Sequence, residues 1–142
     1  KAQTLEVYIP AGIDSGKSIR LRGKGMPGTG KGGAGDLLLK VTVQPKAGYE
    51  RKGMDVYTTV SIPYTTAVFG GEARGHTLYG DVMCKIKEGT QSGSKIRLRG
   101  KGIVSMKDAN VHGDQYVTVQ IQVPKHLNAE ARQKLMEYKE AC

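Results

Sequence analysis

The sequence predicts a mainly β chain built as two tandem units and closed by a C-terminal helix. Three observations predict it. The hexapeptide Arg-Leu-Arg-Gly-Lys-Gly occurs at 20–25 and again at 97–102, apolar and polar residues alternate along most of the chain, and helical spacing is found only after residue 125. With a shift of 77, Ile9, Gly12, Ser15, Gly16 and Ile19 through Gly25 match Ile86, Gly89, Ser92, Gly93 and Ile96 through Gly102. After a one-residue insertion, Gly35-Asp36, Val41 and Val43 match Gly113-Asp114, Val119 and Ile121. A period this long indicates tandem domains, because solenoid repeats run to roughly 20–50 residues.

The elements follow in order. Leu5, Val7 and Ile9 alternate with Glu6 and Tyr8 and predict a strand, which Pro10-Ala11-Gly12 turns. Ile19 and Leu21 alternate with Arg20 and Arg22, so the next strand is half-buried with a basic outer face. Gly23 to Gly35 holds too many glycines for regular structure and reads as a long, mobile loop. Leu37, Leu39, Val41 and Val43 line one side of another strand, and Pro45 to Gly53 separates the units. Val56, Thr58, Val60 and Ile62 open the second unit. Pro63 to Phe69 is expected to form one or two helical turns stopped by Gly70-Gly71. Short strands are expected near 72–78 and 82–87, then the second basic hairpin, then a strand on which Val117, Val119, Ile121 and Val123 share a face. The first 30 or so residues of the second unit have no counterpart ahead of residue 1, so the first unit is expected to be truncated at its N-terminus. The expected boundaries are 1–48, 49–124 and 125–142.

Composition sets the limits. A chain of 142 residues buries one sizeable core or two small ones, and the repeat favours two. Twenty glycines against one phenylalanine and no tryptophan predict thin cores and long loops. Charged residues make up 25%, and no apolar run approaches the roughly 18 residues that a membrane span needs. Two cysteines are too few for a disulfide framework. Cys84 alternates with Val82 and Ile86 and is expected to face a core, while Cys142 is the last residue. A reduced, cytoplasmic setting is the expectation.

An ordered set of motifs then carries a resemblance. Ile-Pro-Ala-Gly-Ile at 9–13, Ile-Arg-Leu-Arg-Gly-Lys-Gly at 19–25, Gly-Asp-Leu at 35–37, Tyr-Glu-Arg-Lys-Gly-Met-Asp-Val-Tyr at 49–57, Gly-Gly-Glu at 70–72, Thr-Leu-Tyr-Gly at 77–80, Gly-Thr-Gln-Ser-Gly at 89–93 and Leu-Arg-Gly-Lys-Gly at 98–102 cover essentially the whole chain. Together they resemble the carboxy-terminal substrate-binding region of the DnaJ family of J-domain co-chaperones, the 40-kDa heat-shock proteins. The resemblance implies two tandem β-sandwich subdomains, the first truncated here, followed by a dimerising helix. It also implies a forked homodimer whose arms hold unfolded polypeptide for a 70-kDa heat-shock chaperone. Neither a His-Pro-Asp tripeptide nor a Cys-x-x-Cys pair is present, so the family's J domain and zinc-binding insert are not expected in this chain. Tyr79 stands where the family usually has aspartate, and Lys87-Glu88-Gly89 replaces its Pro-Ala/Gly-Gly, which puts local turn geometry in doubt.

Such a region works by binding rather than by chemistry. A non-native segment exposes unpaired backbone and apolar side chains together, and a strand edge beside a shallow apolar pocket accepts both. The resemblance places the pocket in the first unit, with Tyr49 as a lining aromatic. Ile19, Leu21, Leu37 and Leu39 are the candidate floor, with ordinary sandwich core as their other reading. Tyr49 equally suits pinning the two units together.

The net charge of +9 is concentrated, since residues 17–31 and 95–107 carry five Lys/Arg each of the 22. A basic module binding nucleic acid is the alternative function, although no aromatics interleave with the basic runs to stack on bases. A solvated basic face, or one that attracts acidic polypeptide segments, are the competing readings. His76, His112 and His126 lack partners at metal-ligand or triad spacing, so no metal, cofactor or catalysis is expected. Asp36 and Asp114 sit at duplicated positions after a glycine, which suits turn-forming carboxylates accepting backbone N–H bonds. Finally, Asn128 is a good N-cap with Glu130 in the first turn, and Leu127, Ala131, Leu135 and Tyr138 form one apolar stripe on the last helix. The stripe either caps the second unit or, as the resemblance implies, joins two copies.

Overall fold

The computed structural model describes residues 4–25 and 35–142, and it is mainly β with a C-terminal helix. Strands β1 (Ser18–Leu21) and β2 (Leu37–Lys40) form an antiparallel hairpin in the first repeat. The second repeat contains β3 (Glu50–Lys52), β4 (Asp55–Pro63), α1 (Tyr64–Phe69), β5 (Gly71–Thr77), β6 (Gly80–Ile86), β7 (Lys95–Leu98) and β8 (Gln115–Gln122). Helix α2 (Ala129–Ala141) follows.

Strands β3, β4, β8 and β7 lie side by side in one sheet, with β4 and β8 parallel and the outer pairs antiparallel. The period-2 alternation seen in the sequence divides this sheet cleanly. Val56, Val117 and Val119 are almost fully buried on one face, as is Ile62, while Tyr57 and Tyr116 stack on the other with ring centroids 5.3 Å apart. The antiparallel ribbon β5–β6 covers the buried face. Ile62, Ala67, Ile86 and Val119 form the centre of the core, and Val60, Ala73, Ile96 and Ile121 pack around it. Cys84 is buried, as its alternation predicts.

Helix α1 is flanked by its N-cap Pro63 and its C-cap Gly70, where φ is +79° and the Gly70 N–H donates to Thr66 O. Its Ala67 carbonyl accepts from both Gly89 and Thr90 N–H, which ties the helix to the turn before β7.

The duplication recurs atom by atom. Gly16 N–H donates to Val41 O as Gly93 N–H does to Val119 O, and Gly25 N–H donates to Gly35 O as Gly102 N–H does to Gly113 O. Ser15 Oγ accepts from Val43 N–H as Ser92 Oγ does from Ile121 N–H. Ile19 lies opposite Leu39 and Leu21 opposite Leu37; their counterparts Ile96 and Leu98 lie opposite Val117 and Gln115.

Several expectations fail. Strands β2 and β8 stop at Lys40 and Gln122, short of Val43 and Val123, which are exposed. Residues 4–10 form no strand, because alternation alone does not make one and no partner strand lies beside them among the described residues. Leu5 and Ile9 are accordingly exposed. Within the supposed spacer 45–53, Glu50–Lys52 is a true strand that pairs with Asp55–Tyr57 across a turn at Gly53. Most of the glycine-rich loop, 26–34, lies outside the described residues.

Candidate functional site

The four floor candidates share one face. On the β1–β2 hairpin Ile19, Leu39, Leu21 and Leu37 form two adjacent cross-strand pairs, all half-buried, while Arg20 and Leu38 point to the opposite side and are exposed. The same strand positions in the second repeat are Ile96, Val117, Leu98 and Gln115, and there Gln115 and Val117 are 0% and 1% exposed. The difference is cover. In the second repeat the β5–β6 ribbon lies on that face: Gln115 Nε2 donates to His76 O at 2.8 Å and to Thr58 Oγ1 at 2.9 Å. Leu37 and Leu39 have no such cover among the described residues and remain half-open. Two half-exposed cross-strand pairs of aliphatic side chains are a surface that gains by covering, at about 25 cal/mol per Å².

Tyr49 is elsewhere. It lines a cleft of about 600 Å³ together with Lys46, Thr59, Ser61, Arg74 and His76, and Lys46 Nζ lies 5.3 Å above its ring. One wall of this cleft is a strand edge. Strand β3 accompanies β4 only as far as Glu50 opposite Tyr57, and Val56 N–H points away from it, to Asp114 O. By alternation the backbone groups of Thr59 and Ser61 point away from β8 into the cleft, with no strand beside them among the described residues. The structure therefore brings four of the five candidate residues together and places the fifth beside an open strand edge that the sequence reading missed.

The basic hairpins are organised by their aspartates. Asp114 Oδ1 accepts from Gly100 N–H at 3.0 Å and Oδ2 from Arg97 Nε at 2.8 Å. Asp36 repeats this with Gly23 N–H at 3.1 Å and Arg20 Nε at 2.5 Å. Gly23 and Gly100 present these amides with φ of +69° and +72°, a conformation that favours glycine. In each repeat the backbone amide, and then the arginine, holds the carboxyl below the ordinary aspartate range. Half of the four hairpin arginines are thus bound to carboxylates, which weakens the case for a continuous phosphate-binding strip.

Tyr79, at the family's usual aspartate position, has its own use. Its hydroxyl donates to Gly102 O at 2.5 Å, and its ring meets His112 edge-on with 2.9 Å between the hydroxyl and Nδ1. Burial pushes its ionisation up. The turn around it keeps its form through Thr77 Oγ1, which donates to Gly80 O.

Helix α2 begins as expected, with Asn128 Oδ1 accepting from Ala131 N–H at 2.8 Å. No residue of the helix is buried, so it does not cap the second core. Leu127, Leu135 and Tyr138 are 37%, 45% and 50% exposed, and Ala131 is half-buried. Leu127, Leu135 and Tyr138 line, with Met136 and Cys142, an apolar groove of about 420 Å³; Ala131 is not part of its lining, and Met136 lies outside the spacing that singled out the others. The helix is held to α1 by Tyr138, whose hydroxyl lies 2.8 Å from that of Tyr64. No helix among the described residues is long and apolar enough to cross a membrane.

Comparison with known proteins agrees with the motif pattern. The family model for the DnaJ C terminal domain matches residues 1–124. The chain is 44% identical over 139 residues to a Chaperone protein DnaJ of Lachnospira eligens, which covers 98% of this chain and 37% of that protein. It is 43% identical over 141 residues to a Chaperone protein DnaJ of Burkholderia pseudomallei, covering 99% of this chain and 37% of the relative. The chain thus spans a little over a third of the length of these relatives, and it belongs to the DnaJ C-terminal domain family.

Proposed function

We propose that this chain is a client-binding region of a cytoplasmic co-chaperone, which holds non-native polypeptide for delivery to a 70-kDa heat-shock chaperone and does no chemistry of its own. The observation that carries the proposal is the half-open face of Ile19, Leu21, Leu37 and Leu39: among the described residues nothing seals Leu37 and Leu39, whereas their counterparts Gln115 and Val117 are buried in the second repeat. A client segment laid against it buries apolar side chains, and an adjoining strand edge takes its backbone. The cleft at Tyr49 offers the same two elements in the second repeat, an aromatic wall and the backbone groups of Thr59 and Ser61, which have no strand beside them on that side among the described residues. We place the repeats at 1–48 and 49–124, with 125–142 as the segment that joins two copies. Two arms of weak sites then act together through avidity.

Fluorescence anisotropy with a labelled, extended apolar peptide tests the proposal. Replacing Ile19 and Leu39 by serine should weaken binding about tenfold or more, since each 1.4 kcal/mol is a factor of ten. Unchanged affinity sinks the assignment of this face. A mixed-sequence oligonucleotide that instead binds below micromolar at low salt, and weakens on replacing Arg22 and Arg99, favours the basic nucleic-acid module.

A further inference from the structure

Arg51 joins the two repeats. It projects from β3 of the second repeat, and its guanidinium reaches back to the turn at residues 10–14 of the first. Nη2 donates to Gly12 O at 2.7 Å and Nη1 to Ile13 O at 2.9 Å, while Nε donates to Gly53 O at 2.7 Å within its own β3–β4 turn. The Asp14 carboxylate lies 3.6 Å from Nε. The side chain is 22% exposed, so these charge-assisted bonds are partly shielded from water. Ile13, at the centre of the clasped turn, is 8% exposed and is the buried hydrophobic residue of the first repeat among the described residues.

A second contact holds the same turn from another side. Gly12 has φ +88° and packs so closely on the second repeat that a Cβ there would collide with the Val104 carbonyl oxygen. The loop carrying Val104 is itself braced: Ile103 N–H donates to Met54 O, Gly113 N–H to Ile103 O, and Ser105 N–H to Val111 O. The turn of the first repeat therefore sits between two fixed points of the second, the β3–β4 turn and the 103–113 loop.

We propose that Arg51 is a guanidinium latch which, with the glycine-only contact at Gly12, fixes the angle between the two repeats. The planar fork suits the task because it spans two successive carbonyls at once, which a lysine ammonium on its flexible stem does not. The latch positions rather than binds, and it stands independently of what the apolar face holds. Its consequence is that one extended segment meets both repeats at a set spacing; without it the 41–49 connection becomes a swivel.

Pulsed spin–spin distance measurement on the full chain tests this. Labels go on Leu38→Cys and Met83→Cys, both exposed, in a Cys142→Ser background; Cys84 is buried and stays unlabelled. The parent chain should give a narrow distance distribution, Arg51→Ala one broadened about twofold, and Arg51→Lys an intermediate width. Gly12→Ala should broaden it independently. Circular dichroism and thermal unfolding of each variant report whether the second repeat is folded, and Arg51→Lys in high salt loosens the latch without deleting the side chain should Arg51→Ala fail to fold. An equally narrow distribution in the folded Arg51 variants, or a broad one in the parent, overturns the proposal.

Discussion

Asp114 holds Arg97 and the Gly100 amide with its two carboxylate oxygens, and Asp36 holds Arg20 and the Gly23 amide in the same way. The duplicated hexapeptide is therefore conserved between the repeats as a fold device: each basic hairpin bends at a glycine whose amide needs that carboxylate. Both carboxyls ionise below the ordinary aspartate value, the amide being the larger cause and the arginine the next.

A pH dependence follows from that depression. The folded chain binds the proton more weakly than the unfolded one, so the contribution is fully present above the ordinary value of about 3.9 and is lost as pH falls through the lower folded value. Asp114→Asn should lower the melting temperature at neutral pH, and the difference from the parent should vanish in strong acid. A constant difference across the whole range would show that the charge has no part in the effect. Because the pairs are exposed, added salt should shrink it.

Gln115 is fully buried where the first repeat has Leu37, and its Oε1 has no hydrogen-bond partner among the described residues. Leucine at 115 would remove that lone acceptor but also both donors of Nε2, stranding His76 O and Thr58 Oγ1 at the sheet–ribbon contact. Two bonds lost outweigh one group relieved. Gln115→Leu should therefore destabilise by about 1–3 kcal/mol in urea unfolding. A stabilised variant would mean that the orphan oxygen dominates.

Position 119 and its repeat counterpart 41 separate cover from sequence. Val119 is 0% exposed and Val41 is half-buried, although both accept and donate the same backbone bonds. Val119→Ala should cost on the order of 1.5–3 kcal/mol, as expected for a fully buried valine, and Val41→Ala clearly less. Equal losses would show that the first repeat's face is sealed in solution.

What the sequence made legible was local or duplicated. The half-buried alternation of Ile19 and Leu21, the caps at Gly70 and Asn128, and the turn role of Asp36 and Asp114 each rest on spacing within one repeat or on comparison of the two. What stayed hidden was non-local. The parallel pairing of β4 with β8 brings Tyr57 onto Tyr116 from 59 positions away, and nothing in either strand's alternation names its neighbour. The open edge at Thr59 and Ser61 exists because β3 is only three residues long, and so short a strand left no periodicity to read. Leu5 to Ile9 shows the converse error, alternation without a partner strand.

Tyr138 provides a spectroscopic handle on the α1–α2 tie. Its bond to Tyr64, and then its proximity to Cys142, push its ionisation up to about 12. A raised value means the neutral hydroxyl is favoured in the folded chain, so this tie is intact below the ordinary tyrosine range near 10 and is lost as pH rises toward 12. Ultraviolet titration should show Tyr138 and Tyr79 ionising late, and Tyr64→Phe should bring only Tyr138 forward. An unchanged curve in that variant would remove Tyr64 as the cause.

The helix groove should join two copies. Leu135, Met136 and Tyr138 on α2 and Leu127 just ahead of its cap are exposed together, α2 buries none of its residues against the described chain, and a contiguous apolar stripe of that kind marks an interaction surface. Covering one leucine is worth about 1.5–3 kcal/mol, and a twofold interface makes every contact twice. Leu135→Ala with Met136→Ala leaves the Tyr64 bond intact and should raise the dimer dissociation constant at least about tenfold, since 1.4 kcal/mol corresponds to that factor. Tyr138→Phe keeps the ring in the groove and should change dimerisation little. Sedimentation belongs in reducing buffer, because Cys142 lines the same groove and a disulfide there would imitate the interface. A reduced parent chain that sediments as a monomer at tens of micromolar would leave the stripe uncovered by a second copy and end the forked-dimer reading.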